Sequence, residues 1–251
     1  MSKIVSIHSY RGGTGKSNLT ANLAAATALG GLRVGIVDTD IQSPGIHVLF
    51  GLDETKLNRS LNDYLWGRCA VEDTAYNITP PEVASHQGTM FLIPSSSKAG
   101  EIARILREGY DVGLLNDGFQ ELIDKLKLDY LYIDTHPGLN EETLLSIAIS
   151  DVVVLILRPD KQDFQGTAVT VEVARKLNVQ RLVLVVNKVL SSMNVESLKS
   201  QVEKTYNAPV AALFPLSEDV AQLASSGIFC LEYPFHAFTK KLKDLAQHIM
   251  A

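Results

Sequence analysis

Tyr10-Arg11-Gly12-Gly13-Thr14-Gly15-Lys16-Ser17 follows the β-branched run KIVSIHS at 3–9 and opens a stretch of helical spacing at about 16–30. Glycines let successive backbone N–H groups turn inward around an oxyanion, and the N-terminus of the following helix adds its partial positive charge. A lysine closing such a loop reaches the β and γ phosphates of a nucleotide, and the hydroxyl after it can ligate Mg²⁺. Lys16 and Ser17 stand at those two places. The plainer reading is a glycine-rich turn with an accidental Lys-Ser, and the position directly between a strand and a helix argues against it.

Outward from this loop, apolar runs recur: RVGIVD at 33–38, MFLIP at 90–94, YLYID at 130–134, VVVLIL at 152–157, RLVLVVN at 181–187 and APVAALF at 208–214. Helical spacing separates them at about 115–127, 141–149, 164–177, 194–205 and 217–226, and again from about 235 to the end. Several runs are apolar on both faces, as in a parallel sheet covered by helices on each side. Strand then helix, repeated, implies right-handed βαβ units. The expected fold is α/β: a doubly wound, mostly parallel sheet flanked by helices, forming one domain over 1–251. The less periodic stretch at about 53–88, with Pro80-Pro81 and the only Trp, is expected to be an insertion of short helices and loops.

With 46% hydrophobic and 20% charged residues, neither a disordered nor a fibrous chain fits. The longest apolar run, Val152 to Leu157, is far below the roughly 20 residues of a spanning helix, and the N-terminus has no secretory pattern. A cytoplasmic location is therefore expected. Cys69 and Cys230 stand alone, without CxxC spacing or His neighbours, which argues against a disulfide framework or a thiolate metal site. A net charge of −5 disfavours whole-surface attraction to nucleic acid or anionic lipid, though not a local basic patch.

The ordinary pattern GxxxxGK[ST] would need Gly where Tyr10 stands, so the loop is not a plain Walker A. Arg11-Gly-Gly-Thr-Gly-Lys-Ser instead resembles the deviant Walker A, KGGxGK[ST], of the MinD/ParA family of P-loop ATPases. Val37-Asp38-Thr39-Asp40-Ile41-Gln42 is similar to that family's DxDxQ motif, Tyr132 to Leu139 resembles its Walker B and switch segment DTPPGL, and Val185-Val186-Asn187-Lys188 resembles its strand-end Asn-basic pair. The resemblance covers nearly the whole chain and is weakest from about 50 to 130. It implies ATP and Mg²⁺ as ligands, with Gly12, Gly13, Thr14, Gly15, Lys16, Ser17 and Asn18 as the cradle.

Asn187, Lys188, Pro215 and Leu216 are then expected around the adenine; Asn187 can both donate to and accept from a base edge. Asp134, at the carboxyl end of a strand, is expected to hold Mg²⁺ with Ser17, against the alternative of a loop cap. Asp38 and Asp40 share one face if the strand continues through them. We assign Asp38 to the hydrated Mg²⁺ shell and Asp40 to orienting the attacking water, against helix capping or loop solvation. Phosphoryl transfer asks mainly for positioning and charge neutralisation, so Lys16, Asp40 and Arg11 are the candidate catalytic groups.

Two residues depart from the family pattern. Arg11 replaces the lysine that in this family reaches across a dimer to the partner's phosphates. A guanidinium keeps the charge but is bulkier and bidentate, so a contact across the dimer and an anchor within its own subunit both stay open. Lys161, in RPDKQD at 158–163, is a second candidate for a charge acting across the dimer or a solvated surface residue. His136 stands where the family has Pro, and is either a group beside the γ-phosphate or a loop residue with no role in turnover.

The resemblance further implies a homodimer closed by ATP, which positions cargo or partitions DNA or protein complexes and is reset when a partner stimulates slow hydrolysis. The surface it holds is an adaptor or cargo protein, DNA bound non-specifically at a nucleoid, or a membrane. For DNA the candidate cations are Arg175, Lys176, Arg181, Lys199, Lys204, Lys240, Lys241 and Lys243. For a membrane the candidate is the C-terminal helix at about 235–251, whose stripe of Phe235, Phe238, Leu242, Leu245 and Ile249 suits docking on its own sheet better. Two further alternatives are a nucleotide-gated binding module without hydrolysis and a MinD-like membrane-associated regulator. A metal-carrying or reductase relative would need paired cysteines, and a tyrosine-kinase relative a Tyr-rich tail.

Overall fold

Each of the seven apolar runs forms a strand. In a computed structural model describing residues 2–53 and 55–251, the strands are β1 (Lys3–His8), β2 (Arg33–Asp38), β3 (Tyr76–Asn77), β4 (Thr89–Ile93), β5 (Tyr130–Asp134), β6 (Val152–Leu157), β7 (Arg181–Val189) and β8 (Val210–Pro215). They make one sheet in the order β3-β4-β2-β5-β1-β6-β7-β8, parallel except for β3 at the edge. The chain first builds outward from β1 through β2 to β4, then returns to lay β5 and β6 on either side of β1. That reversal opens a crevice at the carboxyl end of β1, where open α/β sheets bind ligands.

The helices are α1 (Lys16–Ala28), α2 (Ile46–Leu49), α3 (Leu61–Leu65), α4 (Pro81–Ser85), α5 (Ala99–Glu108), α6 (Gly113–Leu126), α7 (Glu141–Ile149), α8 (Lys161–Lys176), α9 (Val195–Tyr206), α10 (Glu218–Leu223), α11 (Phe229–Glu232) and α12 (Ala237–Met250). The pleat of β6 shows how both faces are covered. Val152, Val154 and Ile156 join one core with Leu23 of α1 and Leu245 of α12, while Val153, Leu155 and Leu157 join another with Val171 of α8 and Val202 of α9. A third core lies under α6, where Phe119 and Leu122 meet Leu131 and Ile133.

The 53–88 stretch holds α3, α4 and a short 3-10 turn, as the sequence suggests, and adds the two-residue edge strand β3. The expected helix at 164–177 begins earlier, at Lys161, because Asp160 caps it by accepting from Gln162 and Asp163 N–H. α5 was not expected at all.

α12 docks on the sheet: Leu242, Leu245, Ala246 and Ile249 are buried, and the Phe238 ring packs tilted against Phe214, centroids 4.8 Å apart. Phe235, expected to head that stripe, lies before the helix and is fully exposed. At the amino-terminal edge of the sheet, cations close helix C-termini. Arg33 donates to Leu126 O at 2.7 and 2.9 Å, Arg175 to Tyr206 O and Asn207 O, Arg181 to Ile249 O and His248 O, and Lys3 to Met250 O. Each meets the negative end of a helix dipole as well as orphan carbonyls. Among the described residues no helix is long and apolar enough to cross a membrane.

Candidate functional site

β1 ends at His8, and the loop Ser9 to Gly15 carries the chain into α1. Ser9 Oγ donates to Arg11 O at 2.7 Å and Gly138 N–H donates to Ser9 O at 3.2 Å, which ties the loop to the segment after β5. Gly13 and Gly15 adopt φ of 74° and 98°, the left-handed region that glycine takes without strain. At Gly15 there is also no room, since a Cβ would lie 2.7 Å from Asn187 Nδ2. Asn187 Nδ2 donates to Thr14 O and Lys188 Nζ to Gly13 O, each at 2.8 Å. The expected Asn-basic pair thus fastens the loop from β7. Gly15 is the N-cap of α1, offers no side-chain acceptor, and is followed by a first turn with no acidic residue. These N–H groups and the dipole behind them form an uncontested seat for an anion.

Lys16 is largely buried, and beneath it lie two carboxylates. Asp38 and Asp134 end neighbouring strands β2 and β5 in register and are 0% and 1% exposed. Burial pushes Asp134 up to about 6, against the pull of Lys16 and of hydroxyls from Ser17 and Thr20; Thr20 Oγ1 donates to Asp134 Oδ1 at 3.3 Å. Burial, then the charges of Asp134 and Asp40, raise Asp38 well above the usual carboxylate range, although Asp38 accepts N–H bonds from Asp40 and Gly45. Two buried acids that resist ionising, beside a serine hydroxyl, make a hard oxygen donor set that a divalent cation would satisfy. Ser17, Asp38 and Asp134 therefore fit Mg²⁺, and Thr14 Oγ1, buried without a partner among the described residues, fits a polar ligand in the loop.

Asp40 departs from the expected shared face. The strand stops at Asp38, whose Oδ1 accepts the Asp40 N–H at 3.0 Å and turns the chain. Asp40 instead meets His136, Nδ1 to Oδ1 at 2.6 Å. His8, fully buried, pairs through Nδ1 with Thr135 Oγ1 at 2.8 Å; burial, then the charges of Lys16 and His136, push its pKa down to about 3, so it is neutral.

Within the single chain Arg11 has acidic neighbours. Its guanidinium lies 3.6 Å from Asp163 and 3.9 Å from Asp160, at the start of α8. Arg158 holds the same buried Asp163 through its backbone N–H, Nε and Nη2 at 2.9 to 3.1 Å. Lys161 is exposed on the first turn of α8, and Tyr10 packs against that helix at Gly166.

Next to Gly15 a cavity of about 360 Å³ opens between α1, β8 and α10. The expected Asn18, Asn187, Lys188, Pro215 and Leu216 line it, as do Leu19, Phe214, Ser217, Val220, Ala221, Ala224, Phe238 and Leu242, which sequence reasoning missed. Its apolar floor and amide rim suit a flat heterocycle. α10 has no buried residue and roofs the cavity. The missed residues come from α1, β8, α10 with its two caps, and α12, whose convergence leaves no local signal, although the strand-end Phe214 directly precedes the Pro215-Leu216 pair.

Comparison with known proteins gives a match over residues 1–250 to the ParA family model described as NUBPL iron-transfer P-loop NTPase. An uncharacterised ATP-binding protein of Methanocaldococcus jannaschii is 28% identical over 92% of this chain and 81% of its own length. The septum site-determining protein MinD of Pyrococcus horikoshii, solved with Mg-ADP, superposes with a TM-score of 0.82 at 23% identity, covering 99% and 96% of the two chains. MinD of Aquifex aeolicus, solved as a MinC:MinD cell division protein complex, gives 0.81 at 19% identity, covering 99% and 96%.

Proposed function

The chain belongs to the ParA family of P-loop NTPases, and from that premise we propose that it is an ATP-dependent dimerisation switch that binds Mg-ATP, hydrolyses it to ADP and phosphate, and thereby holds and releases a protein partner. The observation that carries this reading is the pair of buried acids, Asp38 and Asp134, set beside Ser17 under a glycine cradle closed by Lys16. In this reading Ser17 and Asp134 hold Mg²⁺, with Asp38 in its hydrated shell, and the cation would neutralise charge developing on the transferred phosphoryl group. Lys16 and the N–H groups from Gly12 to Ser17 cradle the phosphates, Asp40 orients the attacking water, and the cavity rimmed by Asn18, Asn187, Lys188, Pro215 and Leu216 takes the adenine. The expected test is calorimetry. Wild type binds Mg-ATP, and Lys16→Ala loses at least tenfold in affinity together with any ATP-dependent dimer seen by light scattering. Equal ATP binding by the two proteins contradicts the reading.

A protein partner is favoured over DNA because four of the eight candidate cations are engaged within the chain. Arg175 and Arg181 close helix C-termini, and Lys176 and Lys240 pair with Glu172 and Asp244 one turn away. The cytoplasm is the proposed location. Iron transfer, named in the family description, is not extended to this chain. A cluster carrier needs several accessible thiolates, whereas Cys230 is buried, its thiol pushed up to about 12 chiefly by burial, and Cys69 is a single partly exposed thiol whose pKa burial also raises.

One observation favours a second reading, a nucleotide-gated binding module that turns over little ATP: Arg11 is held by its own subunit's Asp160 and Asp163. Equal phosphate release from wild type and Asp40→Ala would select it.

A further inference from the structure

We propose that His136 is a positioning residue for hydrolysis: its Nδ1–H fixes the Asp40 carboxylate and links that carboxylate to the segment following Asp134. The assignment rests on the reading of the chain as a hydrolase and extends it to a residue for which the family pattern, with proline there, provides no role.

The argument begins with what Asp40 lacks without it. Asp40 sits beyond the end of β2, and its own N–H is committed to Asp38. Besides His136, its Oδ1 accepts only the Ser43 N–H, at 3.2 Å, and among the described residues Oδ2 makes no hydrogen bond. A carboxylate held by that one long backbone bond is free to turn outward.

His136 supplies the opposing hold, at 2.6 Å and with both side chains largely shielded from water. Because a carboxylate only accepts, the proton of this pair lies on His136 Nδ1. The backbone that carries the ring is anchored: Thr143 Oγ1 donates to the His136 carbonyl at 3.3 Å, and Thr143 N–H is bound by Asn140, the N-cap of α7. Asp40 is thus fastened through the imidazole to the first turn of α7, and Oδ2 is left for the attacking water. A misplacement of about 1 Å can cost about 10²-fold in rate, so a residue that never touches substrate can matter this much.

The test compares His136→Ala, His136→Asn, Asp40→Ala and the His136→Ala/Asp40→Ala double variant of the full chain, with phosphate release and Mg-ADP calorimetry read on each. His136→Ala is expected to lower kcat roughly 10- to 100-fold while KM and Mg-ADP affinity stay within about threefold, the pattern of lost positioning. His136→Asn, whose Nδ2–H can donate to the same oxygen, recovers most of that loss, and the double variant is no slower than Asp40→Ala alone. Wild-type turnover in His136→Ala, an Asn variant as slow as Ala, or losses that multiply in the double variant overturn the assignment alone. Wild type that binds Mg-ATP but releases no phosphate overturns the hydrolase reading and this assignment with it.

Discussion

Asp134 carries a charge at neutral pH against its surroundings, and the cost is measurable. Its folded pKa, about 6, exceeds the ordinary aspartate value of 3.8, so between those values the folded chain binds more protons than the unfolded one. Stability contributed by this group is therefore full below about pH 3.8 and is lost as pH rises through about 6. Asp134→Asn removes the penalty. Without nucleotide it should melt above wild type at pH 7, by a margin that narrows toward pH 4, while losing Mg²⁺-dependent ATP affinity. Scanning calorimetry of the two proteins at several pH values checks this, and a margin that widens as pH falls would contradict the burial argument. The identity of Asp134, Asp38 and Lys16 as a group was legible in the sequence, because each follows or closes a short motif. The partners of Asp40 and Arg11 were not. His136 lies 96 residues from Asp40, and Asp163 is far along the chain from Arg11, so no spacing rule reaches them.

Among elements, the phosphate loop and α8 are fitted to one another at a single point. A Cβ on Gly166 would lie 2.0 Å from Tyr10 Cδ1, so the ring can rest there only because position 166 has no side chain. Gly166→Ala should gain the intrinsic helical preference of alanine, about 1 kcal/mol, yet displace Tyr10 and with it the loop. The expected result is weaker ATP binding without loss of helix content, reversed by adding Tyr10→Ala, as calorimetry and circular dichroism would show. Element recognition from sequence follows the same logic of how much each segment buries. The strands were legible because β-branched runs such as Val152–Leu157 are wholly buried. α5 was not, because Ile105 alone of its ten residues is buried and its N-terminus holds Ala99-Gly100, a poor helix start. β3, two residues long, is too short to show alternation.

For the whole molecule, the docking of α12 decides which surfaces the chain can hold. Burial of Leu242, Leu245 and Ile249, each worth about 1.5–3 kcal/mol, must be undone before that helix could lie in a bilayer. The ATP-bound Asp40→Ala protein is therefore expected neither to sediment with anionic vesicles nor, at physiological salt, with plasmid DNA. Sedimentation with vesicles would show that α12 undocks, and salt-sensitive sedimentation with DNA would reveal a basic surface formed only in the dimer. The fold as a whole was legible from the alternation of runs and spacers; the fate of the last helix depended on a tertiary contact, since an amphipathic stripe fits either a sheet or a bilayer.

The basic side chains that stopper the helix ends along the amino-terminal edge also govern how the protein can move. They clamp α6, α9 and α12 at the base, whereas α10, the roof over the apolar cavity, buries no residue and is joined to the start of α12 through Asp219 and His236. Exchange of one ligand for another is therefore expected to displace the shallowly packed mouth more than the stoppered base, and faster amide hydrogen exchange in α10 than in α6, α9 and α12 would show it.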